Sequence, residues 1–303
     1  NNLEQIKHIF KESALVQLIL NSRNPIIPES CDEYPCKSFF GPIKDKPFEE
    51  LFQLTTKFLG VALDIPSRIL NSIDYIPSIR NLVKRDYHIV HENDYFSKLL
   101  LKVTHTPFCD ESRLFLNKYL KQFEIADGIK IDELENGSNS ISLIKNDENI
   151  NLADFGYGIS QLFPILLRIA HYINLSYPRL EESSCILIIE EPETNLHPGL
   201  QSKLAEMFID CYRNYNIQFI LETHSEYLIR KLQYLTAKKE ISPEETQIYY
   251  FYPPDDVPEG ENQIYPINIQ EDGSLSKNFG KGFFDEADNI ALELFLLKNH
   301  QSN

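Results

Sequence analysis

Cys185-Ile186-Leu187-Ile188-Ile189-Glu190-Glu191-Pro192-Glu193 is the stretch that decides the fold. Ile186 to Ile189 is an unbroken apolar run rich in β-branched residues and bounded by charge, which suits a strand buried on both faces of a parallel sheet. Two carboxylates, Glu190 and Glu191, stand at its C-terminal end, where open α/β sheets hold their ligands. Side chains alternate along a strand, so the two carboxylates point to different places. One can hold Mg²⁺, usually through its water shell. The other can orient an attacking water, as phosphoryl transfer requires. The alternative is a solvated acidic turn after a strand.

Outward from this block, Pro192 to Pro198 turns the chain, with a proline at each end as breaker. From Gly199 the apolar residues Leu200, Leu204, Met207, Phe208 and Cys211 recur at helical spacing. Gln218 to Leu221 reads as the next strand and ends at Glu222-Thr223-His224. His224 therefore falls on the same sheet rim as Glu190 and Glu191, within reach of a γ-phosphate or an attacking water. Upstream, Asp154-Phe155-Gly156-Tyr157-Gly158-Ile159-Ser160-Gln161 is a glycine pair leading into a helix. Ser160 is the expected cap, Pro164 sits near the first turn, and Leu162, Phe163, Leu166, Ile169, Ala170 and Ile173 form the apolar face. Such a helix start exposes backbone N–H groups and a positive dipole end to an anion, although an ordinary glycine turn has the same pattern.

Taken in this order and spacing, the three blocks resemble ATPases of the overcoming-lysogenization-defect and RecF/SMC-like branch of the ABC superfamily. Glu190-Glu191-Pro192-Glu193 with Leu196-His197-Pro198 is similar to that branch's Walker B and D-loop. Gly156-Tyr157-Gly158-Ile159-Ser160-Gln161 looks like its signature motif, and Glu222-Thr223-His224-Ser225-Glu226 like its switch-histidine segment. Gly282-Phe283-Phe284-Asp285-Glu286 before a final helix resembles a small C-terminal module of these ATPases.

The resemblance implies an α/β fold: an ABC-ATPase-like head with a parallel-rich central sheet flanked by helices. It divides the chain into a mostly helical region (1–125), an ATPase core lobe (126–240) and a C-terminal strand-helix module (241–303). ATP and Mg²⁺ are the implied cofactors, with Glu190 as the metal ligand, Glu191 as general base and His224 as γ-phosphate sensor. Gly156, Gly158, Ser160 and Gln161 would face ATP held by a second copy of the chain, and Asn195 and His197 would lie on the seam of that homodimer. The implied activity is hydrolysis of ATP to ADP and phosphate in a DNA-associated or anti-phage-defence switch. An effector or nuclease partner chain and DNA are further implied partners. The alternative is a non-hydrolysing dimerisation or scaffold subunit of a defence or repair complex.

One departure from the family pattern bears on that choice. No Gly-x-x-x-x-Gly-Lys-Ser/Thr occurs in the 303 residues, and Gly273 to Gly282 has the wrong spacing and no hydroxyl residue after Lys281. The chain opens Asn1-Asn2, and the expectation is that a lobe carrying the phosphate loop lies upstream of this numbering.

Composition is that of a soluble globular protein, 42% hydrophobic with no apolar run of membrane length, and the expected compartment is the cytoplasm. Lys plus Arg is 29 against 45 Asp plus Glu, a net −16 that argues against broad non-specific nucleic-acid binding. Cys185 and Cys211 read as reduced core residues. Cys31-x4-Cys36 and His88-x-x-His91 lack the partners a metal set needs. Residues 3–20 read as an amphipathic helix, and Phe48, Leu51, Phe52, Phe58 and Leu59 suggest another. The cations of Tyr75-Ile76-Pro77-Ser78-Ile79-Arg80 and Lys84-Arg85 either contact nucleotide or DNA or balance nearby acids. Glu111 to Phe123 reads as a helix, and Ile129 to Leu134 with Ile141 to Ile144 as a hairpin across Asn136-Gly137-Ser138-Asn139. Thr246 to Tyr252 and Ile264 to Ile269 read as strands, separated by a solvated acidic loop.

Overall fold

The strand predicted at Cys185 lies inside a six-stranded sheet. In the computed structural model, residues 16–20, 73–80, 84–87, 94–135, 137–177, 185–280 and 282–300 are described. The sheet runs β10 (Ile264–Ile267), β9 (Thr246–Phe251), β1 (Val16–Leu20), β8 (Ile217–Thr223), β7 (Cys185–Glu190), β2 (Ile73–Ile76). Its β2, β7 and β8 are mutually parallel. β1 enters antiparallel to both β8 and β9, and β10 is antiparallel to β9. The apolar run of β7 is consistent with this central place, since Leu187, Ile188 and Ile189 are all buried.

One of the expectations changes here. Residues 16–20 are strand, not the end of a helix, because a short apolar run fits either period and pairing along both edges decides it. Residues 3–15 lie outside the described set, as do the helix suggested around Phe48 to Leu59 and the Cys31, Cys36, His88 and His91 positions. The described part of the N-terminal 125 residues holds three strands as well as two helices: β3 (Asp86–Tyr87) besides β1 and β2, and α1 (Tyr95–Thr104) and α2 (Asp110–Gln122).

A second sheet, β3–β5–β4 with β6 on β5, is built from β4 (Gly128–Glu133), β5 (Asn139–Lys145) and β6 (Glu148–Asn151). Its β4–β5 hairpin closes where Leu134 and Ser138 exchange a backbone bond of 2.8 Å, and Gly137 supplies the positive φ that the turn needs.

Helix α3 (Tyr157–Ser176) is apolar over most of its circumference and has thirteen buried residues. It packs against α1 and α2, with Phe96 meeting Phe163 edge-on. Its start also corrects the sequence reading: the cap is Gly156, one turn before Ser160, which leaves Ser160 inside the helix and Pro164 in the helix interior. Having no N–H, Pro164 contributes no donor to the helix ladder at that turn.

Helices α4 (Pro198–Tyr215) and α5 (Glu226–Ala237) pack on each other, and α4 also lies on β8. There Phe208 stacks on Phe219 at 4.8 Å between ring centres. Helix α6 (Glu286–His300) follows a segment whose Phe279, Phe283 and Phe284 pack around Tyr250 and beneath Arg230.

Candidate functional site

The site is assembled at the C-terminal ends of β7 and β8. Their parallel register sets Glu190 beside Glu222, and the Glu191 N–H donates to the Glu222 carbonyl at 2.8 Å. Glu191 leaves the strand with φ 42°, in the left-handed region that a residue with a Cβ occupies only under constraint. This break sends the two neighbouring carboxylates apart. Glu190 turns toward β2, where the Tyr75 hydroxyl donates to its Oε1 at 2.5 Å and the Ser78 N–H to its Oε2 at 3.0 Å. Glu191 accepts from the Thr194 hydroxyl at 2.8 Å on the other side.

The turn after it closes through Thr194 N–H to the Glu191 carbonyl and Leu196 N–H to the Glu193 carbonyl, both at 3.0 Å. Glu193 is buried, and its Oε1 accepts the backbone N–H of His224 at 2.7 Å, tying the turn to the end of β8. The His224 side chain itself is exposed. Asn195 and His197 are exposed on the turn, and the His197 Nδ1 caps α4 by accepting from Gly199 N–H at 3.2 Å.

The start of α3 lies against this turn. A Cβ on Gly158 would stand 2.2 Å from the Asn195 carbonyl oxygen, a distance only a glycine permits. Gly156 is exposed and Gly158 half-buried, whereas Ser160 is fully buried and Gln161 nearly so. The Gln161 Oε1 accepts the Arg80 N–H at 3.4 Å. In this arrangement the glycines and the Glu190–His197 turn come together, and Ser160 and Gln161 point into the protein.

Three participants escape a reading by motif. Glu222 is one: burial, then the carboxylates of Glu190, Glu191 and Glu193, push its carboxyl up to about 7. Arg80 is the second, 1% exposed, with its Nη2 donating to the carbonyls of both Glu190 (2.8 Å) and Glu191 (2.6 Å). Burial lowers the Arg80 pKa to about 10 while the carboxylates of Glu193, Glu191 and Glu190 oppose the shift, so the guanidinium keeps its charge at neutral pH. Tyr75 is the third; burial and the bond to Glu190 raise its phenol. The signals available in sequence were the acid directly before Thr223-His224 and the Tyr75–Arg80 segment. The other two cations nearby balance acids, Lys84 with Asp94 at 3.8 Å and Arg85 with Asp154 at 2.5 Å.

The donor chemistry fits a divalent cation of the Mg²⁺ kind. Burial first, and then the carboxylates of Glu190, Glu191 and Glu193, raise the Glu222 carboxyl to about 7, and a hard cation at this rim would relieve the repulsion among the carboxylates. Among the described residues no group of three or more His, Cys, Asp or Glu forms a ready-made metal cage. That suits a metal held by one or two carboxylates with waters and phosphate oxygens completing its shell. No phosphate cradle is found among the described residues.

Residues 12–229, most of the chain, match the AAA ATPase domain family. The chain belongs to that family. Residues 241–294 match a second family, described as a protein of unknown function, DUF3696. The ATPase domain thus ends near α5, and the second family covers β9, β10 and the beginning of α6. A curated relative, the endonuclease GajA of Bacillus cereus (strain HuB5-5), is 23% identical over 159 residues. That stretch covers 46% of this chain and 23% of the relative, so the chain spans well under half of its length. No helix among the described residues is long and apolar enough to cross a membrane.

Proposed function

We propose that this AAA ATPase domain hydrolyses ATP at the β7–β8 rim, with Glu190 holding Mg²⁺, Glu191 orienting and deprotonating the attacking water, and His224 meeting the γ-phosphate. The observation that carries the reading is the divergence of Glu190 and Glu191, which the positive φ of Glu191 turns to opposite sides of one strand end. Each carboxylate is held by its own donors, Glu190 by Tyr75 and Ser78 and Glu191 by Thr194, and the oxygens keep lone pairs that would serve a metal on one side and a water on the other. Mg²⁺ bound there neutralises charge on the transferred phosphoryl oxygens. Glu193 fixes the His224 backbone to the same turn, so metal ligand, base and imidazole share one rigid support.

The phosphate cradle and the second signature surface belong, in this proposal, to sequence outside the described residues and to a second copy of the chain. Two copies close over ATP, with the exposed Gly156–Gly158 start of α3 facing the partner's nucleotide and Asn195 and His197 on the seam. Ser160 and Gln161 join that contact only if the start of α3 opens. Opening and closing of the dimer then drives a DNA-associated or defence-related switch. The similarity to a protein named an endonuclease supports a nucleic-acid setting and suggests a nuclease or other effector as partner.

The test is Glu191→Gln in the full-length protein. The expected result is loss of ATP turnover with a nucleotide-bound dimer that persists on size-exclusion chromatography. Turnover at the unmodified rate would refute the role given to Glu191. Wild-type protein that binds no ATP would instead favour a scaffold subunit.

A further inference from the structure

We infer that Arg80 is a positioning residue for this ATPase site, holding the Glu190–Glu191 peptide in the geometry that aims the two carboxylates. The inference rests on the function proposed above and adds to it a residue outside the three motif blocks.

Glu191 sits at φ 42°, in a region that a residue with a Cβ occupies only under constraint, so surrounding contacts must hold it there. Two groups grip the peptides on either side of its Cα. From β8, the Glu222 carbonyl accepts the Glu191 N–H at 2.8 Å. From the loop after β2, a single Arg80 nitrogen donates to the carbonyls of Glu190 and Glu191, at 2.8 and 2.6 Å. Both bonds are charge-assisted and shielded from water, since Arg80 is 1% exposed. The same loop holds the Glu190 side chain through Tyr75 and the Ser78 N–H.

Charge gives the grip a second effect. Arg80 is also a cation close enough to feel the carboxylates of Glu193, Glu191 and Glu190, and removing it takes that positive charge away from the acidic rim. A neutral side chain of similar length loses both effects. A lysine keeps the charge, but its single ammonium lacks the planar fork of the guanidinium.

The experiment compares wild type, Arg80→Met, Arg80→Lys and Tyr75→Phe in the full-length protein, with Glu191→Gln as the reference for a dead site. ATP turnover gives kcat and KM, thermal melting reports folding, and hydrogen exchange by mass spectrometry reports the amides of Glu191 and Thr194. For Arg80→Met the expectation is a kcat lower by roughly 100-fold, the scale of a misplaced catalytic group, with KM unchanged. Amide exchange should quicken at Glu191 and Thr194, while Phe219 and Leu221 in β8 keep their protection. Arg80→Lys should recover part of the rate. If Arg80→Met does not fold, Arg80→Lys and Tyr75→Phe carry the test, each expected to lower kcat without raising KM.

Unchanged exchange at Glu191 and Thr194 would overturn the inference, as would quickened exchange with undiminished kcat. A wild type that does not hydrolyse ATP would overturn the proposed function instead, and the exchange comparison would still decide whether Arg80 grips the turn.

Discussion

Replacing Gly158 by Ala sets two effects of opposite sign against each other. Gly158 lies in the first turn of α3, where Ala is the better helix former by up to about 1 kcal/mol, so local propensity alone predicts a gain in stability. The structure predicts a loss. The added methyl would stand 2.2 Å from the Asn195 carbonyl oxygen, more than 1 Å short of an ordinary contact of about 3.5 Å, and 2.9 Å from its carbon, also too close. Both obstructing atoms are backbone in the turn that carries Glu193, so no rotamer change relieves them. Forcing a methyl into such a contact typically costs about 1–3 kcal/mol, enough to cancel the helical gain and leave a net loss of up to about 2 kcal/mol. For a domain of roughly 150–250 residues each kcal/mol lowers the melting temperature by about 2–4 °C. Gly156→Ser is the control, because nothing lies within 4 Å of its added Cβ and serine is a good cap. Thermal melts of the two variants should part, Gly158→Ala below wild type and Gly156→Ser at or slightly above it. A Gly158→Ala protein that melts at or above wild type would refute the close approach of α3 to the Asn195 turn.

Other substitutions probe different supports. Ser225 caps α5 by accepting the Leu228 N–H at 3.1 Å while its hydroxyl donates to Gln201, so Ser225→Ala should cost about 1 kcal/mol or more in denaturant titration. His171 is buried in α3, and burial, then the charges of Arg168 and Lys102, lower its pKa to about 4 from the usual 6.5, with Asp74 opposing. The unfolded chain therefore takes the proton more readily, and stability from His171 is complete above about 6.5 and lost as pH falls toward 4. His171→Leu should flatten the decline over that interval when stability is followed by urea unfolding at a series of pH values; an unaltered decline would refute it.

How far the sequence reveals this molecule depends on the range of the interaction concerned. Strands β7, β8, β9 and β10 and helices α2, α3 and α4 are legible because each has a local pattern, an apolar run or a helical period. Val16–Leu20 is not legible as a strand, since its partners Thr223 and Tyr250 lie at the other end of the chain. The same holds at the site. Glu190, Glu191 and His224 stand at strand ends that the pattern itself marks, whereas Glu222 gains its significance only from the register of β8 against β7. Arg80 reads as a cation that either contacts nucleotide or DNA or balances nearby acids, until the loop after β2 folds beneath the turn and sets it on backbone carbonyls. Ser160 shows the converse: the motif suggests a cap, but the helix already begins at Gly156 and draws the hydroxyl inside.

The placement of β1 has a consequence for how the protein is made. Val16 pairs with Thr223 on one side and with Tyr250 on the other, so β1 is made well before its two partners and is completed only when both have emerged. Until β8 is made β1 has neither of its partners, and after β8 has paired the other edge of β1 stays open until β9 arrives. Long-range pairings of this kind fold slowly, because the loop must close before any contact rewards it. Each newly made molecule therefore passes through an interval with open strand edges, the state most prone to pairing with a neighbour. A chaperone that occupies those edges should raise the yield of folded protein more than any substitution in the helices.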